Sequence, residues 1–301
     1  MTNRARGILL LLTATLFWGA EPLWVRSVGA GEWQILFWSG GLMAAVMLVW
    51  LAWVHGRNIL RAILDTGRPG LIAVITLTLA YSGYILSLNR TTVANTVVLM
   101  ATAPLFAALL GRIFLGEHFR RRTLLSMFLA FAGVLTMVSD SLGSIQLAGD
   151  LFALATGACF AINIVALRAA PLRNGEPVDM MPSNAMAGIV IAVIAVFLAD
   201  PFAVAGADIP YLLMIGLLAM GLGTWLFTRG VRHLQAAEAG LLCLGETVIA
   251  PLLVWAFIGE IPEPRAILGA GIILAALVYD TMPEQRVAPA TPAEPVRGRS
   301  E

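Results

Sequence analysis

The sequence predicts an all-α integral membrane protein of ten transmembrane helices, arranged as two inverted five-helix repeats. Three observations predict it. The 301 residues are 59% hydrophobic and 12% charged, with a mean hydropathy of +0.86, which leaves too little polar surface for a water-soluble globule. Ten apolar stretches approach the roughly 20 residues a helix needs to cross a bilayer. Folded onto itself at an offset of about 142 residues, the chain realigns these stretches while its basic residues change sides, the mark of an inverted-topology repeat.

In order, the stretches run Gly7 to Val28, Trp33 to Val54, Leu71 to Leu88, Ala94 to Leu115 and Leu124 to Val138 in the first half. The second half holds Asp150 to Leu167, Ala185 to Ala199, Tyr211 to Phe227, Ala236 to Phe257 and Ala266 to Tyr279. The offset places Trp18 on Phe160, Glu21 on Asn163, Arg26 on Arg168, Tyr84 on Phe227, Gly116-Glu117 on Gly259-Glu260, and Arg122 on Arg265. The repeats therefore divide at residues 1–142 and 143–282. Beyond them, 283–301 holds four prolines and no apolar periodicity, and reads as a disordered cytoplasmic tail.

Arginine placement sets the expected orientation, because basic residues are retained in cytoplasmic loops. All 19 basic residues are Arg. Arg57, Arg61, Arg68, Arg112 and Arg120 to Arg122 follow segments two and four, and Arg4 and Arg6 precede segment one. In the second half Arg168, Arg173, Arg229 and Arg232 follow segments six and eight. Both termini are then cytoplasmic. Segment one has the basic start of a signal peptide, but it continues past Trp18 to span length and has a counterpart in segment six, so it is expected to remain uncleaved.

Lipid supplies no hydrophobic force between helices, so close contacts rely on small side chains. Gly149, Ala153, Gly157 and Ala161 recur every four residues along segment six and predict one tightly packed face. Ala266, Gly269, Ala270 and Gly271 give segment ten the same character.

Several function classes are excluded or left without support. The absence of Lys removes a Walker A phosphate loop and Schiff-base chemistry. A net charge of +1 offers no surface for nucleic acid. His55, His118 and His233 are scattered without ligand spacing, so no metal or other cofactor is expected. Cys159 and Cys243 fall within spans and suit packing rather than a disulfide. No constellation for enzyme catalysis stands out, and no large soluble segment marks a scaffold or receptor.

Glu21 and Glu246 are the leading candidate residues. A carboxylate inside a spanning helix costs about 2.5–3.5 kcal/mol on insertion scales and tends to face a partner or a wet cavity. Glu246 falls near the middle of segment nine, shortly before Pro251. Either group can carry a proton, bind an ammonium, or serve as a hydrogen-bonding link to a neighbouring helix. Trp18 shares a helix face with Glu21, and an indole beside a carboxylate suits a cation. Thr78, Tyr81 and Tyr84 form a second polar-aromatic stripe, Thr156, Phe160 and Asn163 a third, and Trp225 adds an aromatic group in segment eight. From these, Trp18, Glu21, Tyr84, Asn163, Trp225 and Glu246 are the expected substrate-binding or coupling residues. Glu117 and Glu260 hold matching positions at helix ends and are expected to pair with Arg120 to Arg122 and Arg265.

The run Trp18-Gly19-Ala20-Glu21-Pro22 with Arg26 resembles the aromatic-Gly opening of the EamA-type drug/metabolite transporter superfamily. Thr92 to Glu117, with Asn95 and Pro104, is similar to that family's fourth helix, and Ala236 to Glu260, with Glu246 and Pro251, to its ninth. The resemblance covers the chain to about Tyr279. It implies two inverted five-helix repeats in a bacterial inner membrane, around a cavity lined mainly by helices one, three, four, six, eight and nine. Members of that family commonly export amino acids, related metabolites or drugs, and with the inverted repeat this makes a secondary exporter of amino acids, related amines or drugs by alternating access the expected function. Glu246 or Glu21 makes protons a candidate coupling partner; a facilitative exchanger of another metabolite class is the alternative, ahead of a membrane enzyme or scaffold. The missing Lys departs from the branches that carry phosphorylated sugars.

The orientation is checked by labelling intact cells with a membrane-impermeant thiol reagent. A cysteine at Ser144 is expected to react while one at Arg121 is protected; the reverse pattern contradicts the orientation and the inverted repeat.

Overall fold

The computed structural model describes residues 2–116, 121–141, 144, 146–168, 181–234, 242–243 and 245–281. Glu117, Arg120 and the tail at 283–301 lie outside the described residues, as do the side chains of Arg121 and Arg122. Among the described residues every regular element is helical. In the first half these are α1 (Asn3–Ser27), α2 (Glu32–His55), a short α3 (Ile59–Leu64), α4 (Gly67–Leu88), α5 (Val93–Met100), α6 (Ala103–Leu115) and α7 (Arg121–Ser141). There follow α8 (Gln146–Arg168), α9 (Met181–Leu198), α10 (Ile209–Leu213), a π-helical segment (Met214–Gly223), α11 (Thr224–Gly230), α12 (Gly245–Ile258) and α13 (Pro264–Thr281).

Seven helical stretches among the described residues are long and apolar enough to cross a membrane, and Leu124–Ser139, Gly245–Ile258 and Pro264–Tyr279 are shorter apolar helices. The protein is an all-α membrane protein. Side chains that complete backbone hydrogen bonding set the helix starts. Thr2 accepts from the Ala5 amide at 3.2 Å, the Gln34 side chain accepts from the Gly31 amide at 2.7 Å, and Thr92 accepts from the Asn95 amide at 3.2 Å. Gly116 ends α6 with φ 69°, a left-handed conformation open to glycine at little cost.

The boundaries differ from the sequence expectations in three instructive places. Segment four is two helices, broken at Ala101-Thr102 ahead of Pro104, which sits in the first turn of α6, where its missing N–H costs no helical hydrogen bond. Segment seven begins at Met181 rather than Ala185, because Pro182 likewise fits a first turn. Segment eight is wound largely as π-helix. Glu246 lies in α12, five residues ahead of Pro251, and the described Leu242 and Cys243 before it are helical as well.

Packing joins the two halves throughout. The α2 helix lies on α9, α7 on α13, α4 on α8, and α1 on α12 and on the segment Met214–Gly230, while α5 and α6 lie on α8. Small residues permit these approaches. A Cβ on Gly40 would lie 2.8 Å from the Gly188 carbonyl oxygen, and one on Gly188 would lie 2.6 Å from that of Gly40, so the backbones of α2 and α9 touch. A Cβ on Gly157 would lie 3.0 Å from the Met100 carbonyl oxygen, at the break between α5 and α6. The stripe Gly149, Ala153, Gly157 and Ala161 thus includes the close contact to the broken helix, with Ala153 and Ala161 fully buried.

A layer of charge ties together the end of the bundle where α1 finishes. Arg26 Nε lies 3.0 Å from Glu260 Oε2, Arg26 Nη2 donates to the Thr91 carbonyl at 2.7 Å, and the Val93 amide donates to Glu260 Oε1 at 2.7 Å. Glu260 therefore pairs with Arg26, a partner its sequence neighbourhood did not suggest. The fully buried Asp150 accepts from Thr91 at 2.6 Å and from Asn95 at 3.0 Å. Arg90 grips both Glu32 oxygens, at 2.5 and 2.8 Å, and these bonds raise its guanidinium above the ordinary value. One network spans α1, the start of α5, α8 and the residues after α12.

Gly188→Leu is expected to cost about 1–3 kcal/mol by overpacking, whereas Gly271→Ala, with nothing within 4 Å of its Cβ, is expected to be neutral or mildly stabilising. Thermal unfolding of detergent-purified protein checks this; equal melting temperatures for the two variants contradict the close α2–α9 contact.

Candidate functional site

Short of the charged layer, the helices part around a cavity of about 440 Å³. Glu21 precedes Arg26 by five residues, about 7.5 Å along the helix at 1.5 Å per residue. Trp18 and Glu21 reach the cavity from α1, Leu77, Tyr81 and Tyr84 from α4, and Met100 from the α5 end at the helix break. Phe160, Asn163 and Ile164 come from α8, and Asn184 from α9. Met220, Thr224, Phe227, Thr228 and Val231 line it from the π segment, α11 and the turn beyond; Cys243 and Glu246 complete the wall. The surface is apolar and aromatic with a few polar groups, the usual make-up of a small-molecule site.

The two carboxylates meet because α1 and α12 pack closely. A Cβ on Gly19 would stand 2.7 Å from Ile249 Cγ2, and one on Gly245 would stand 3.3 Å from Thr15 Cγ2. Glu21 is 2% exposed and Glu246 9%, and they are near enough for their charges to act on one another. No Arg, Lys or His is among the described lining residues. The Tyr84 hydroxyl faces the Glu246 carboxylate without closing a hydrogen bond. Glu21 Oε1, Asn163 Oδ1, Thr224 Oγ1 and the Tyr84 hydroxyl are all buried and find no hydrogen-bond partner among the described residues. Buried polar atoms are normally satisfied, so four unsatisfied ones around one cavity point to a ligand or solvent.

Other polar groups hold the wall in place. Trp18 Nε1 donates to the Ala219 carbonyl at 3.1 Å, which fixes the indole against the π segment, and its ring lies 5.2 Å from that of Phe227. The absence of a side chain on Gly223 allows this, since a Cβ there would stand 2.9 Å from Trp18 Nε1. Tyr81 donates to Asn184 Oδ1 at 3.0 Å and packs edge-on to Phe160 at 6.0 Å.

Of the six site residues selected from the sequence, Trp18, Glu21, Tyr84, Asn163 and Glu246 line this one cavity. Trp225 does not. Its ring turns outward to Trp50 at 5.2 Å, and the Arg229 guanidinium lies 4.3 Å from the Trp50 ring. The wider π winding changes which residues of this span share a face, so Thr224, Phe227 and Thr228 face the cavity instead. Asn184 was missed because Pro182-Ser183 reads as a loop, although a polar amide just ahead of an apolar run is a usable signal. Tyr81 belonged to the stripe with Tyr84 but had not been selected.

The sequence profile of the EamA-like transporter family matches the chain twice, at residues 5–139 and 147–279. The chain belongs to the EamA-like transporter family. It is 27% identical over 289 residues to the uncharacterized transporter YwfM of Bacillus subtilis, covering 90% of this chain and 92% of that one. It is also 26% identical to protein RarD of Escherichia coli over 297 residues, covering 93% and 96% of the two chains. A solved crystal structure shares the fold with a TM-score of 0.65 at 17% identity, over 92% of this chain and 98% of that one. The protein is a multi-pass membrane transporter.

Proposed function

We propose that this transporter is a secondary exporter of the bacterial inner membrane that carries small amphipathic solutes bearing an amine, by alternating access between two inverted repeats. The observation that carries the reading is the pair Glu21 and Glu246, both buried in an apolar, aromatic cavity with no basic residue among its described lining. A cation between two such carboxylates satisfies charge and hydrogen bonding together, while Trp18 and Phe227 offer aromatic surface to its apolar part.

Alternating access draws support from the asymmetry of the bundle. The Arg26–Glu260 layer closes the end where α1 finishes, whereas the cavity lining continues along α11 to Val231 and takes in Cys243. With the termini cytoplasmic, as the arginine distribution favours, this is a cavity sealed on the outer side. The doubled family match and the cross-half packing of α2 on α9 and α7 on α13 favour two repeats that rock against each other.

A carboxyl that takes a proton when the solute leaves would couple export to a proton gradient. The titratable groups facing Glu246 among the described residues are Glu21, Tyr84 and Cys243. In liposomes, Glu246→Gln is expected to lower accumulation driven by a pH gradient at least tenfold while retaining solute exchange at equal pH, and Trp225→Phe to change neither. Gradient-driven accumulation at the wild-type level in Glu246→Gln removes Glu246 from coupling and favours facilitated exchange or coupling through Glu21.

A further inference from the structure

The unsatisfied atoms around the cavity differ in what they require. Glu21 Oε1 and Asn163 Oδ1 only accept hydrogen bonds, and both are buried without a partner on two different helices, α1 and α8. The Tyr84 and Thr224 hydroxyls, also unpartnered, can accept as well. An ammonium group carries three donors and no acceptor, so it completes this set.

A carboxylate has the opposite requirement, and the cavity offers it little. The Trp18 indole N–H is taken up by the Ala219 carbonyl, and the Tyr81 hydroxyl by Asn184. Among the described side chains, the nearby arginines are held elsewhere: Arg26 by Glu260 and Thr91, Arg90 by Glu32, and Arg229 over the Trp50 ring. The stretch 235–241, outside the described residues, contains Glu238 and no basic residue. Among the described residues a substrate carboxylate here would meet two buried carboxylates and only neutral donors, a like-charge juxtaposition that rejects wrong partners.

We infer that the site takes organic cations lacking a free carboxylate, and that it selects an amine over the α-amino acid from which that amine would arise by decarboxylation. This rests on the amine reading of the cavity and narrows it. In a cavity of about 440 Å³ the extra atoms of a carboxylate are a minor steric matter, so the discrimination is by charge.

The test uses wild-type protein in liposomes and matched solutes: tryptamine, tryptophan and tryptophan methyl ester, with phenethylamine, phenylalanine and phenylalanine methyl ester as a second set. The methyl esters keep the amine and side chain and remove only the negative charge. Transport of the labelled amine is expected to be inhibited by amine and ester at concentrations at least tenfold below those needed for the amino acid, a gap of about 1.4 kcal/mol. Equal inhibition by amino acid and ester overturns the carboxylate exclusion and leaves the amine reading standing. If no amine-bearing probe is transported or binds while indole-3-propionate or a sugar phosphate does, both fail.

Discussion

Two carboxylates held inside a lipid-embedded helical bundle, without a basic residue beside them in the described structure, impose the constraint around which the cavity is organised. Each costs insertion energy that packing alone does not return. The chain nevertheless brings them together, by placing Gly19 and Gly245 where α1 and α12 must approach closely. Glu21 Oε1 is left without a hydrogen-bond partner among the described residues. A bundle selected only for stability would neutralise such a pair or separate it, so the arrangement is explained by a solute or a proton that visits it.

The remainder of the fold divides its polar groups by place. Where α1 ends, the charged groups pair: Arg26 with Glu260, Arg90 with Glu32, and Asp150 with Thr91 and Asn95. Hydrogen bonds to charged groups contribute about 1.5–3 kcal/mol each, and here they join four chain segments into one closed end. Around the cavity the polar atoms are left incomplete. Small residues carry the packing between these regions, with Gly157 against the Met100 carbonyl and Gly40 against Gly188, so that the halves touch along backbones while the cavity stays open.

Much of this was legible in the chain. Length and hydropathy placed most of the spans, and acids within apolar runs singled out Glu21 and Glu246, because a charge in a membrane helix is costly wherever it faces. Asn163 was marked by a polar-aromatic stripe at helical spacing. Features that depend on winding or on partners were not legible. The π segment altered which residues share a face, so Trp225, sound by composition, stands against Trp50 and Thr224 takes the inward position. Segment seven was started after Pro182, which lies in a first helical turn, and this hid Asn184; segment four was read as one continuous span through Pro104, which hid the α5–α6 break. Glu260 found its counter-ion in Arg26, far away in sequence, where local spacing had suggested Arg265.

The central claim is that Glu21 and Glu246 together hold a cationic solute. Equilibrium binding of tryptamine to purified protein, compared with a Glu21→Gln/Glu246→Gln double variant that folds with the same helix content, tests it most directly. Losing a buried charge pairing costs about 2–5 kcal/mol, so the account predicts binding at least thirtyfold weaker in the double variant. Equal affinity in the two proteins would contradict it.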